Sequence, residues 1–239
     1  MIDIYICKKD EFKRIFSSEE LSVDDECYDK FSRYAEILTE RNKVMNLTAI
    51  TDPQGINEKQ FLDSVLIFKY CDIPENSSVI DVGTGAGFPG LAMKIYRPDI
   101  KLTLLDSLQK RVCFLEDAVN FIPIEAECIH MRAEDGGRNP KLREKFDVVT
   151  ARAVAALPVL AEYCLPFVTV GGQFIAMKGP NEDILPAENA IKQLGGKIDR
   201  TVKYSLPCGD DRTIIIIKKL TATPTKFPRS SAQISKKSL

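Results

Sequence analysis

Residues 79–90 read Val79-Ile80-Asp81-Val82-Gly83-Thr84-Gly85-Ala86-Gly87-Phe88-Pro89-Gly90. A short apolar strand runs into a turn crowded with glycine, and a helix-like stretch from Phe88 to Tyr96 follows. That order builds a nucleoside-cofactor site. Glycine enters positive-φ conformations and leaves no Cβ in the way, so a ligand can lie against main-chain N–H groups where a helix begins.

Outward from the turn, strand and helix patterns alternate. Strands are expected at Ser78–Val82, Leu102–Asp106, Ala126–His130, Phe146–Ala151, Gly172–Met177, Ile198–Ser205 and Thr213–Lys218. Between them lie helical stripes: Leu108, Val112, Leu115 and Val119; Leu157, Leu160, Ala161 and Cys164; Ile184, Ala187, Ile191 and Leu194. This alternation implies an α/β fold with a mostly parallel seven-stranded sheet and helices on both faces. Ile214–Ile217 is continuously apolar, as a strand buried on both sides should be. The first seventy or so residues read instead as helices, with Phe31, Tyr34, Ala35 and Leu38 on one face and Leu62, Val65 and Leu66 starting another, around a loop at 46–55. The expected organisation is an N-terminal helical cap over 1–72, an α/β domain over 73–220 and a basic tail over 221–239.

The bulk numbers are those of an ordinary globular protein: 239 residues, 44% hydrophobic and 28% charged. Such a chain hides roughly 70–75% of its unfolded surface. No stretch approaches the roughly 20 apolar residues that span a bilayer. The N-terminus carries an acid at its third position, so no secretory signal and a cytoplasmic location are expected. Seven cysteines are scattered singly and read as reduced thiols. With one histidine, His130, read as a packed strand residue, neither a metal site nor a histidine-based triad is expected. Net charge is −1, yet from Arg212 onward there are seven basic residues and no Asp or Glu. This end reads either as a phosphate-binding patch or as a solvated tail.

The dinucleotide fingerprint requires Gly-x-Gly-x-x-Gly, and its third glycine position is Phe88 here. A Gly-x-Gly-x-Gly turn behind Asp81 suits S-adenosylmethionine better: a carboxylate for the ammonium, backbone N–H groups for the carboxylate. Asp106, closing the next strand, can accept ribose hydroxyls. Ala133 and Glu134 follow the third strand, where an N–H and a polar side chain could meet an adenine edge. Lys110, Arg111, Arg152 and Lys178 stand at the carboxyl ends of the same strands, which suits a polyanionic substrate. A nicotinamide-dependent oxidoreductase and a non-catalytic RNA-binding module remain as alternatives at this level.

Taken in order, Asn46-Leu-Thr-Ala, Phe61-Leu-Asp-Ser, Asp81-Val-Gly-Thr-Gly-Ala-Gly-Phe-Pro-Gly, Leu105-Asp-Ser with Lys110-Arg111, Ala151-Arg-Ala, Ala176-Met-Lys-Gly and Phe227-Pro-Arg resemble the RsmG (GidB) family. The resemblance implies a class I S-adenosylmethionine-dependent methyltransferase fold, Rossmann-like, acting at N7 of a guanine in 16S ribosomal RNA or the assembled small subunit. It implies cofactor contacts at Gly83, Phe88, Ala133, Glu134 and Arg152, beside Asp81, Gly85 and Asp106. Substrate contacts are expected at Lys110, Arg111, Arg152 and Lys178, with no catalytic side chain, no metal and a monomer. The chain departs from the pattern at Gln60, where histidine is usual, at Arg41, where tryptophan is common, and after Arg229, where Gly-Thr-Pro is absent.

Overall fold

The computed structural model describes residues 5–152 and 155–239. Residues 1–4 of the expected cap and Ala153 of the Ala-Arg-Ala motif lie outside the described residues.

Seven strands form one sheet: β1 (Ser78–Val82), β2 (Lys101–Asp106), β3 (Ala126–His130), β4 (Phe146–Arg152), β5 (Val168–Lys178), β6 (Gly196–Ser205) and β7 (Asp211–Lys219). Their order is β3-β2-β1-β4-β5-β7-β6, with β7 antiparallel to both its neighbours and the β1–β5 pairings parallel. The order reverses between β1 and β4, and ligands of open α/β sheets bind outside the carboxyl ends of the strands at such a point. Successive residues of a strand point to opposite faces. Accordingly Ile214 and Ile216 enter one core and Ile215 and Ile217 the other, which is why β7 has no polar alternation.

The helices Lys9–Ser18 and Asp25–Met45, followed by helical turns from Pro53 to Tyr70, pack with the helices Gly90–Tyr96 and Gln109–Phe121 in the core on one side of the sheet. Asp24 starts the longer helix by accepting the Cys27 N–H at 2.7 Å. An aromatic column, Phe16–Phe12–Phe31–Phe61, ends on Phe88 beside the glycine turn. Tyr34 stacks on Phe88 at 5.1 Å and donates its hydroxyl to the Ala86 carbonyl at 2.6 Å. Cap and turn therefore share one packed interior.

Gly87 sits inside that contact, at φ +99°, where an added Cβ would lie 2.4 Å from Leu91 Cδ1 and 2.6 Å from the Tyr34 hydroxyl. Gly87→Ala combines a left-handed backbone with overpacking, so it is expected to cost about 2–4 kcal/mol. A fall of the urea midpoint at unchanged slope checks this; an unchanged midpoint contradicts it. Gly90, rather than residue 88, marks the closest helix–strand approach: a Cβ there would lie 2.6 Å from Leu104 Cδ2.

The basic C-terminal end is largely tied down. Arg143 donates to the carbonyls of Gly137, Thr223 and Phe227. Arg229 grips the fully buried Glu162 through its backbone N–H at 2.8 Å and its guanidinium at 2.6 Å. Lys219 is buried and donates to the Leu165 carbonyl and the Thr223 hydroxyl; burial lowers its pKa to about 8. Lys226, Lys236 and Lys237 remain exposed. Most of the counted charge is thus structural rather than a free patch.

Other expectations need correction. His130 is exposed at the end of edge strand β3, with its ring near the Ser107 carbonyl at 3.1 Å, so it is not packed. Leu108 precedes the helix Gln109–Phe121 and is 42% exposed, so it is outside the stripe expected for it. The cysteines are free thiols. No helix among the described residues is long and apolar enough to cross a membrane, and they contain no metal-ligand cluster.

Candidate active site

The glycine turn is held mostly by its own backbone. The N–H groups of Gly83 and Thr84 donate to the Leu105 carbonyl, those of Gly87 and Phe88 to the Thr84 carbonyl, and that of Gly85 to Asp106 Oδ2 at 2.9 Å. The turn consequently offers close approach more than an anion nest, which revises the expectation that these amides receive a carboxylate. At Gly85, φ is +62° and, among the described residues beyond its chain neighbours, no heavy atom lies within 4 Å of where a Cβ would be. That gap is open to the cavity beside it.

Asp81 is also placed otherwise than expected. It is fully buried, its Oδ2 accepting the Thr84 hydroxyl at 2.6 Å and the Gly90 N–H at 3.0 Å, its Oδ1 the Thr150 hydroxyl at 3.0 Å. Burial pushes its pKa up, and the three hydrogen bonds oppose that rise. Its geometry pins strand to helix beneath the turn, out of the cavity wall.

The cavity above the turn has about 400 Å³ and is lined by Thr48, Gln60, Gly85, Phe88, Asp106, Arg111 and Arg152, among others. This volume falls in the range of roughly 300–1,000 Å³ usual for cofactor pockets. Asp106 is 1% exposed and accepts the Gly85 and Leu108 N–H groups, both at 2.9 Å, with Arg111 3.5 Å away. Each carboxylate oxygen retains a second lone pair, so the group can still receive ribose hydroxyls. Ala133 and Glu134 open the short helix after β3, outside the residues lining this cavity. Among the described residues, Glu134 Oε1 is nevertheless buried without a hydrogen-bond partner, with the Arg132 guanidinium 4.0 Å away. An orphaned buried acceptor costs about 1–3 kcal/mol, and an adenine amine is a donor of the type it lacks. On these features the residues fit S-adenosylmethionine.

A second cavity, of about 290 Å³, adjoins the first. Gln60 and Arg152 line both. Arg152 donates to the Lys59 carbonyl at 3.2 Å and to the Gln60 side-chain oxygen, stands 3.6 Å from Asp63 Oδ2, and lies over the Phe88 ring at 4.9 Å. Gln60 in turn donates to the Thr48 hydroxyl at 3.0 Å. Lys178 lines this second cavity but is held by the Ala155 carbonyl and by Glu182 at 3.2 Å. Of the four cations expected at one rim, Arg111 and Arg152 reach the first cavity and Arg152 and Lys178 the second. Lys110 is exposed and lines neither. Arg41 pairs with Asp117 at 2.6 Å, tying the cap to the helix Gln109–Phe121.

Thr48, Gln60, Lys59, Asp63 and Arg212 had no assigned role in the sequence reading. Thr48 and Asp63 lie in the Asn46-Leu-Thr-Ala and Phe61-Leu-Asp-Ser motifs, Gln60 stood out as a departure, Arg212 was counted in the basic end, and Lys59 carried no signal. Lys59 and Gln60 lie within a π-helical stretch, Ile56–Leu62, that Asp63 follows directly, and its period matches no standard pattern.

A sheet in this order with β7 reversed, a glycine turn after β1 and an acid closing β2 define a class I S-adenosylmethionine-dependent methyltransferase. Solved structures agree on the fold. The chain superposes on a SAM-dependent methyltransferase from Aquifex aeolicus with a TM-score of 0.52 at 17% identity, over 74% of this chain and 97% of that one. The pattern of the family described as GidB, rRNA small subunit methyltransferase G, matches residues 27–210, and this chain belongs to that family. Among its relatives is the ribosomal RNA small subunit methyltransferase G of Acetivibrio thermocellus, 49% identical over 92% of this chain and 91% of that protein. The protein of the same name from Clostridium perfringens strain SM101 is 44% identical over 96% and 98%.

Proposed function

We infer that this chain transfers a methyl group from S-adenosylmethionine to N7 of a guanine in 16S ribosomal RNA. The observation that carries this reading is the pair of adjoining cavities sharing the Gln60–Arg152 wall. One has the groups that suit the cofactor; the other is lined by Lys59, Arg152, Lys178 and Arg212, which suit an anionic nucleotide.

The bound cofactor supplies an electrophilic methyl group. The chain's residues supply placement: Asp106 receives ribose hydroxyls, Gly85 lets the nucleoside approach the backbone, and Phe88 closes the cavity floor. Arg152 and Lys178 hold the guanine or its phosphate. Guanine N7 carries a lone pair and no proton, so its attack needs no general base. Orientation alone can supply roughly 7–11 kcal/mol of barrier lowering. The same reading takes the protein as a cytoplasmic monomer.

Labelled S-adenosylmethionine and small subunits lacking the modification test this proposal. Label is expected in the RNA fraction; label confined to protein or to a small molecule overturns it.

A further inference from the structure

We propose that Asp63 is a positioning residue for methyl transfer, fixing the guanidinium groups of Arg152 and Arg212 in the wall of the second cavity. The inference rests on the function proposed above and adds to it the group that orients the substrate-side cations.

Asp63 is 2% exposed. Its Oδ1 accepts the Tyr204 hydroxyl at 2.7 Å, while Oδ2 lies 3.4 Å from Arg212 Nε and 3.6 Å from an Arg152 terminal nitrogen. The four residues arrive on different elements: Asp63 from the cap, Arg152 from the end of β4, Tyr204 from the end of β6 and Arg212 from the start of β7. Only the folded chain brings them together. Burial and the Asp63 charge push the Tyr204 hydroxyl well above its ordinary range, so it remains a donor.

With Asp210 counted, two carboxylates face Arg152, Arg212 and Lys59, so Asp63 still leaves one positive charge in excess in this wall. It therefore holds the cations in place without cancelling their attraction for a phosphate or a guanine oxygen. Arg152 is braced on its other sides by the Lys59 carbonyl, the Gln60 side chain and the Phe88 ring. Arg212 is braced by Asp210 at 3.3 Å. Asp63 is the group common to both arginines.

Positioning and electrostatics predict opposite signs here. Asp63→Asn raises the local charge by one, so attraction for RNA is kept or strengthened, while the arginines lose their orientation. With the full-length protein, labelled S-adenosylmethionine and small subunits lacking the modification, kcat is expected to fall about 10–100-fold. KM for the subunits is expected to stay level or fall, and calorimetric affinity for the cofactor to fall by much less than kcat, because Asp63 itself lies outside the cofactor cavity and reaches it only through Arg152. Tyr204→Phe keeps the ring against Tyr70 at 5.0 Å and removes one donor; a fall in kcat of about 2–5-fold, measured well below the melting transition, is expected together with a lower melting temperature, because the buried Asp63 Oδ1 loses its donor. This second variant decides the matter should Asp63→Asn fail to fold.

Wild-type kcat in the folded Asp63→Asn protein overturns the inference. So does a joint loss of kcat, subunit affinity, cofactor affinity and melting temperature, the mark of a merely structural role. Absence of label with the wild-type protein overturns the proposed function and this inference together, whereas label with the wild type and undiminished label with the variant overturns this inference alone.

Discussion

Asp106→Ala is expected to weaken S-adenosylmethionine binding about 100-fold. The carboxylate is nearly inaccessible and accepts the Gly85 and Leu108 N–H groups at 2.9 Å. Removing it leaves the partly buried Gly85 and Leu108 N–H groups without their acceptor, each at a cost of about 0.5–1.5 kcal/mol, and takes away the acceptor for the ribose. The turn loosens and the ligand loses a contact at the same time. A loss of about 2.7 kcal/mol corresponds to that factor of 100. Asp106→Asn, which keeps one acceptor oxygen but loses the charge beside Arg111, is expected to fall between the two. Isothermal titration with S-adenosylmethionine checks the series, and equal affinities for wild type and Asp106→Ala would contradict the assignment.

Arg152→Ala is expected to reduce kcat/KM by about 10²–10³-fold, the range seen when a preorganised donor is removed from an active site. Arg152 lines both cavities, so its loss disturbs the seat of the cofactor and that of the base together. It also leaves Asp63 with one cation fewer and the Gln60 oxygen without its donor. Breaking a buried pair costs about 3–5 kcal/mol, so the melting temperature should fall as well. Arg152→Lys separates the two effects. It keeps a cation but not the planar fork that reaches Lys59, Gln60 and Asp63 at once. Most of the stability should return and little of the rate. Single-turnover transfer and thermal melts on both variants check this; recovery of full rate by lysine would show that charge alone suffices.

Much of the fold was legible because burial writes itself into periodicity. All seven strands stand where the pattern put them, with β5, β6 and β7 reaching further back, to Val168, Gly196 and Asp211. The Ile214–Ile217 run stated the two-sided burial of β7 directly. The glycine turn was legible as well, since positive φ selects glycine at 83, 85 and 87. Side-chain direction was not legible. An acid before a glycine turn is spelled the same whether it faces a ligand or, like Asp81, the protein's own Thr84, Gly90 and Thr150. Partners distant in sequence were hidden for the same reason: Glu162 neutralises Arg229 across 67 positions, and Asp63 meets Arg212 across 149. The basic tail was overcounted because charge is additive along a sequence while pairing is decided by the fold. Gln60, noticed only as a departure, became a shared wall once Thr48 and Arg152 were seen on either side of it.

The central claim is transfer to guanine N7, and the chemistry of the product tests it most directly. N7-methylguanosine opens under mild reduction and the strand then breaks with aniline, whereas methylation at the other ring positions or at the ribose leaves the strand intact. Small-subunit RNA treated with the protein and S-adenosylmethionine should show new aniline scission at a guanine, strongly reduced when the Asp106→Ala protein is used at limiting cofactor. Labelled RNA that aniline does not cut would place the methyl group elsewhere and contradict the account.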